Sequence, residues 1–358
     1  MKNKIIGIAI LALVILGSFA YLRLAGGNAG VEQVTLKGYI GSEKEGLLED
    51  AQVQEILKKK YGVTLDYSKL GSIAMVEGKT DGLDFLFPSS QTAYEIFNEK
   101  SPEKIAGKQV EFNSPIVLYS WDAVTDALVQ QGIVQVKNGT SYLVDMPKMV
   151  DLVRQNRKWS SIGLPELYGN VNILSTDPTQ SNSGNQFSGL LANILNGGRV
   201  VDDATLPAVL PQVKEFFSRQ GYQQTGSGDL FQQYLTAGMG AYPLVVGYEN
   251  QMIEFAAQYP EKWAQVKARV RILYPVPTVW SSHTLIALNS KSAAAVKALQ
   301  DPEIQQIAWK KHGFRSGIVG IVNSTKDLPV GGVPETIGQV IQIPKPSVMD
   351  RIINALQQ

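Results

Sequence analysis

The sequence predicts an α/β protein folded in two lobes, and three observations carry that expectation. The chain has 358 residues, more than the roughly 250 to 300 at which a single hydrophobic core stops growing. Short β-rich runs alternate with stretches of helical spacing, the pattern of parallel strands joined by crossover helices. Polar loops rich in Ser, Asn and Gly recur where strands end and helices begin, the place where open α/β sheets bind ligands. Hydrophobic residues make up 44% of the chain and charged ones 18%, a balance that fills a core and excludes a disordered chain.

Taken in order, Lys2 and Lys4 precede an uncharged run at 5–22, whose length as a helix is about 27 Å, close to the hydrocarbon thickness of a bilayer. Positive charge before the run keeps the start cytoplasmic and sends the body outward, as a retained anchor or a signal segment. No small-x-small cleavage site ends the run, which favours retention and a cell-membrane location with the body extracytoplasmic. Residues 25–30 read as a flexible tether. Strands are expected at 34–40, 63–67, 83–87 and 116–120, with helices at 47–61 and 92–98. A second set follows: helices at 122–131, 147–155, 185–195, 206–220 and 251–258, and strands at 133–136, 142–143, 171–175 and 240–246. Strands at 272–274 and 284–288 and helices at 292–299 and 302–311 complete the pattern. A Pro- and Gly-rich connector at 328–346 then leads to a last short helix. The expected division is 1–30 for anchor and tether, 31–119 with 278–358 for the first lobe, and 120–277 for the second.

Composition excludes several functions. Lys plus Arg number 33 against 32 Asp plus Glu, with no basic block, so nucleic acid is not an expected partner. Cysteine is absent, which removes disulfides, thiolate chemistry and the lipid-accepting cysteine of a lipoprotein. The two histidines, His283 and His312, have no metal-ligand spacing around them. No Gly-x-Ser-x-Gly elbow frames a serine, and Gly226-Ser227-Gly228-Asp229 lacks the lysine of a phosphate loop and reads as a turn. No catalytic residue, cofactor or metal is expected.

The polar loops are the informative feature. Gly41-Ser42, Ser89-Ser90 and Asn182-Ser183-Gly184 place small hydroxyl and amide groups at helix starts, where unpaired N–H groups and the positive end of the macrodipole favour an anion. Each also fits plain N-capping, which Ser, Thr, Asn and Asp provide with or without a ligand. Gly184 permits close backbone approach. Glu43 and Lys44 read either as ligand-reaching groups or as a solvated helix start. Tyr248 and Trp121 read as pocket wall or core, and Tyr242 and Trp280 as core.

From Ile272-Leu273-Tyr274-Pro275 through Thr284-Leu285-Ile286-Ala287-Leu288, Asp301-Pro302-Glu303 and Gly313-Phe314-Arg315, the chain resembles the carboxyl-terminal part of molybdate-type type II periplasmic binding proteins. Gly41-Ser42-Glu43, Phe85-Leu86-Phe87-Pro88-Ser89-Ser90, Asn113-Ser114-Pro115-Ile116 and Thr176-Asp177-Pro178 with Ser181-Asn182-Ser183-Gly184 are similar to the branch often fused to von Willebrand factor A domains. The sequence departs from that branch in having no such domain after the binding region. The resemblance implies a two-lobed type II fold, each lobe a mainly parallel sheet flanked by helices. It also implies two hinge crossings, near Ser120 and Pro277, and ligand contacts from Ser42, Ser90, Asn182, Ser183 and Tyr248. With the neighbouring loop residues, the candidate ligand-binding set is Ser42, Glu43, Ser89, Ser90, Ser120, Asn182, Ser183 and Tyr248. The expected function is an extracytoplasmic solute-binding protein closing over a small, oxyanion-like ligand for ABC-type uptake. The alternative is a membrane-anchored sensor or assembly protein. An ABC permease or a von Willebrand factor A domain protein is the expected partner.

Overall fold

The computed structural model describes residues 32–326 and 328–357. The expected anchor at 5–22 lies outside them, and among the described residues no helix is long and apolar enough to cross a membrane.

In chain order the elements are β1 (Val34–Ile40), α1 (Glu45–Glu49), α2 (Ala51–Tyr61), β2 (Val63–Lys69), α3 (Ser72–Glu77), β3 (Phe85–Phe87), α4 (Gln91–Lys100) and β4 (Gly107–Trp121). Then come α5 (Asp122–Gln130), β5 (Val134–Lys137), β6 (Ser141–Asp145), α6 (Met146–Arg154), α7 (Asn182–Leu195), α8 (Leu206–Ser218), α9 (Ser227–Ala237) and β7 (Leu244–Tyr248). The last are α10 (Glu249–Gln258), α11 (Pro260–Val266), β8 (Val270–Val276), β9 (Trp280–Ala287), α12 (Ala293–Leu299), α13 (Pro302–His312), β10 (Arg315–Ser316) and α14 (Pro346–Leu356). Local chemistry sets many of these ends. The Asp50 carboxylate accepts from the N–H groups of Gln52 and Val53, dividing α1 from α2 where one helix was expected, and Gly62 ends α2 at φ 67°. Asp301, Pro302 and Gly313, at φ 70°, frame α13 in the same way.

Two sheets share β4. Its first half pairs with β9 as far as Pro115 opposite Trp280, and its second half pairs with β7 from Ile116 opposite Tyr248 and with β8. Pro115, which has no N–H to donate, stands at the change of partner. The first lobe is built on β2-β1-β3-β9-β4 and the second on β4-β8-β6-β5 with β7. β4 and the turn from β8 to β9 form the two crossings. The sheets are mixed, not mainly parallel: β1–β2, β1–β3 and β6–β8 are parallel and the other pairs antiparallel. The cause is β4, which spans both lobes and faces antiparallel partners in each.

β4 is also longer than the expected strand at 116–120, because its polar first half carries no apolar run. Residues 171–175 form no strand beyond a bridge from Leu174 to Val245. The largest apolar cluster fills the second lobe and includes Val330, Val333, Val348, Met349 and Ile352. The chain end therefore packs largely on the second lobe, with α14 against α7 and α8, and touches the first at α4. Two smaller clusters, one around Leu36, Phe87 and Phe112 and one around Met75, Leu86 and Ile286, complete the first lobe.

Candidate functional site

On the first-lobe side, β1 ends at Ile40 and the chain turns at Gly41 into a short 3-10 turn, Ser42–Lys44. A Cβ on Gly41 would stand 2.6 Å from Ser89 Oγ and 2.7 Å from Glu43 Oε2, so any side chain here would have to push the cluster beneath it aside. Lys44, far from being solvated, is 0% exposed. Its ammonium lies 2.5 Å from Glu43 Oε1, 2.6 Å from Ser89 Oγ and 3.2 Å from His283 Nδ1. Ser89 Oγ in turn donates to Glu43 Oε1. Burial works to raise the Glu43 pKa, but the Lys44 ammonium beside it holds it well below the usual carboxylate range. Burial and the Lys44 charge lower His283 to about 4, so its imidazole is neutral near pH 7 and Nδ1 accepts from Lys44.

On the second-lobe side, the loop 176–181 delivers the chain to α7. Ser183 Oγ lies 2.7 Å from Thr176 Oγ1 and 3.1 Å from Ser181 Oγ, and a Cβ on Gly184 would collide with the Thr176 carbonyl and with Pro178 Cα at 2.9 Å. Asn182 is the first residue of α7, three positions earlier than expected. Its amide nitrogen donates to the Ser89 carbonyl at 2.9 Å and to the Tyr248 hydroxyl at 3.0 Å, while its Oδ1 is buried without a partner among the described residues. Gln186, one turn on, and Ser281 also donate to the Ser89 carbonyl, at 3.2 and 2.6 Å. That single carbonyl thus collects donors from α7 and from β9, and the bonds from α7 latch the second lobe onto the first. Burial, with the nearby Glu43 charge, raises the Tyr248 phenol, which stays protonated.

Between these walls lies a cavity of about 200 Å³, lined from the first lobe by Ser42, Glu43, Lys69 and Ser72 and from the second by Ser181, Asn182, Ser183, Thr225, Gly226, Ser227 and Tyr248. The starts of α7 and α9 both open into it. Larger hollows, of about 290 and 340 Å³, lie beside α11 and beside α4. Neither gathers helix starts from the two lobes.

Of the candidate residues, Ser42, Glu43, Asn182, Ser183 and Tyr248 line this cavity. Ser89 supports it from behind. Ser90 N-caps α4 by accepting from the Ala93 N–H. Ser120 is not brought to the site: it is fully buried, its hydroxyl bonded to the Trp121 carbonyl and Thr125, its carbonyl to the Tyr234 hydroxyl. Trp121 is core, its ring on Tyr234. Sequence reasoning missed Lys69, Ser72, Thr225 and Ser227. Gly226-Ser227-Gly228, read as a turn, is the start of α9, and the helical spacing of Leu230, Phe231 and Tyr234 was the signal that could have revealed it.

No family model and no curated protein sequence matches the chain. Solved structures do. The periplasmic binding protein AfuA of Actinobacillus pleuropneumoniae, with fructose-6-phosphate bound, superposes with a TM-score of 0.56 at 13% identity, over 89% of this chain and 96% of its own. A periplasmic thiamin binding protein gives 0.59 at 11% identity over 91% and 96%. The apo ferric ion-binding protein A of Pasteurella haemolytica gives 0.53 at 13% identity over 90% and 96%. At such identities the shared feature is the fold: the chain has the two-lobed architecture of periplasmic solute-binding proteins.

Proposed function

We propose that this chain is an extracytoplasmic solute-binding protein whose lobes close over a small anionic ligand in the interlobe cavity and hand it to an ABC-type permease, with no covalent chemistry. One observation carries the reading: hydroxyls, amides and helix starts from both lobes face a single cavity, and Asn182 and Gln186 of one lobe hydrogen-bond the Ser89 carbonyl of the other. Such a latch fastens when the lobes come together and releases when they part, which is how hinged binding proteins capture and deliver. The neighbours described above bear names of binding proteins for a sugar phosphate, thiamin and ferric ion, and they support binding without fixing the ligand.

The apolar run at 5–22, behind two lysines in a chain without cysteine, favours a body held at the membrane by that segment. On that basis the second reading is an anchored sensor or assembly protein using the same closure on a protein partner, a von Willebrand factor A domain protein among the candidates.

Asn182→Ala combined with Ser183→Ala removes the amide that latches the lobes through the Ser89 carbonyl and a hydroxyl that lines the cavity, and should weaken a bound anion by about 10- to 100-fold, the worth of one hydrogen bond to a charged group at about 1.5 to 3 kcal/mol. Calorimetry with phosphate, sulfate, molybdate and organic phosphates measures this. Unchanged affinity in the double variant, for an anion the parent binds, would remove the cavity from consideration.

A further inference from the structure

The first lobe turns a carboxylate toward the cavity, and the groups around it keep it ionised. An ammonium has three N–H donors, and those of Lys44 have three acceptors: Glu43 Oε1, Ser89 Oγ and His283 Nδ1. Lys44 is therefore saturated, and at 0% exposure it is out of a ligand's reach. Ser89 gives its only hydroxyl proton to Glu43 Oε1. That oxygen is occupied, whereas Glu43 Oε2 receives no hydrogen bond among the described residues, in a side chain that is 11% exposed and lines the cavity. A carboxylate oxygen only accepts. Whatever fills the cavity must offer it a proton, or must leave a desolvated carboxylate oxygen without a donor. Across the cavity the demand is opposite. The first turns of α7 and α9 and the hydroxyls of Ser181 and Ser227 meet it, and Lys69, ion-paired to Glu45 at 2.9 Å, stands at the rim.

We infer that the cavity selects a small organic anion carrying a hydrogen-bond donor, hydroxyl or ammonium, close to its charge, with the donor on Glu43 Oε2 and the anion on the starts of α7 and α9. Fully deprotonated inorganic oxyanions such as sulfate and molybdate are rejected. This rests on the binding reading above and narrows its ligand class. Glu43 is the specificity-determining residue, and Lys44 and His283 are positioning residues that act through it.

Calorimetry at pH 7 on the full chain tests this with sulfate, glycerol 3-phosphate and L-serine, in the parent and in Glu43→Gln. The parent should bind glycerol 3-phosphate or L-serine at least tenfold more tightly than sulfate, and whichever is favoured identifies the donor as hydroxyl or ammonium. In Glu43→Gln, whose amide donates as well as accepts, that preference should shrink about 10- to 100-fold, the worth of one hydrogen bond to a charged acceptor. Glu43→Gln with Lys44→Met removes both charges of the buried pair and serves if the single variant, by circular dichroism, fails to fold. Sulfate bound by the parent as tightly as either donor-bearing probe, or a preference that survives the substitution, overturns the inference and leaves the binding reading standing. Silence of the parent toward all three probes overturns both.

Discussion

Glu111 should make this protein lose stability as pH rises, over a range where most proteins gain or hold it. β4 carries one residue more than β9 at this point, Val110 lying opposite Thr284 and Phe112 opposite His283, and Glu111 is the extra residue. It is 0% exposed, and neither carboxyl oxygen has a hydrogen-bond partner among the described residues. Burial alone pushes its pKa from an ordinary 4.5 up to about 9. The folded chain therefore holds a proton that the unfolded chain releases between those two values. The Glu111 contribution is fully present below pH 4.5 and lost as pH climbs toward 9. At about 1.4 kcal/mol per pH unit, the loss is roughly 3 kcal/mol by pH 7 and roughly 6 by pH 9, large against a total stability of about 5 to 15 kcal/mol. Glu111→Gln keeps the size and cannot ionise. Urea unfolding of both proteins, followed by tryptophan fluorescence at several pH values from 5.5 to 8.5, should show the variant gaining on the parent by about 4 kcal/mol across that range. A stability difference that stays flat with pH would mean that Glu111 is solvated or ion-paired in solution, and the reasoning from its burial would fail.

Two further outcomes follow from the buried Arg315–Glu249 pair and the loop before α7. Arg315 donates Nε and Nη2 to the two oxygens of the fully buried Glu249, at 2.6 and 2.8 Å, and Tyr274 donates to the same carboxylate. Arg315→Met should cost about 3 to 5 kcal/mol, and Glu249→Leu added to it should recover part of that, because the loss comes from stranding a buried charge; a double variant weaker than the single by urea titration would refute this. Gly184→Ala pushes a methyl against the Thr176 carbonyl and Pro178 at the start of α7, so it should weaken ligand binding at least tenfold while shifting the melting temperature by only a few degrees, a loss of about 1 kcal/mol. Unchanged affinity would show that the loop before α7 gives way without moving Asn182.

Much of the fold was legible because the elements that matter most are locally coded. β1, β2, β3 and the helices capped by Ser90 and Asp301 carry apolar spacing, a capping carboxylate or hydroxyl, and a glycine or proline at an end, whereas the break that Asp50 makes at the start of α2 was not read. β4 was half hidden. Lys108, Gln109, Glu111, Asn113 and Ser114 give its first part no apolar run, and it exists because β9 and β10 pair with it from far along the chain. Sheet direction was misread for a related reason. Alternating strands and helices imply parallel neighbours, but β4, which spans both lobes, meets partners that run against it in each. The association of 328–357 with the second lobe depends on Val348, Met349 and Ile352 reaching a cluster whose other members lie far away in sequence.

The site divides along the same line, and the division explains why the ligand class was the least legible property of all. Ser42, Asn182 and Ser183, which line the cavity, were picked out because small polar residues at a strand-to-helix junction are a short-range pattern, whereas Tyr248 read equally as core. Lys44 and Glu43 stand in a run, Ser42-Glu43-Lys44-Glu45, that looks like any solvated helix start. What buries Lys44 is His283, 239 residues on, and Ser89, 45 residues on. Only when these meet does the lysine become saturated and the glutamate oxygen beside it become a fixed acceptor. Hydroxyl-rich helix starts, read alone, point to an oxyanion. On the proposed reading, the carboxylate that long-range packing sets opposite them asks for a donor as well, so the local half of the site speaks for an anion and the distant half for the donor beside its charge.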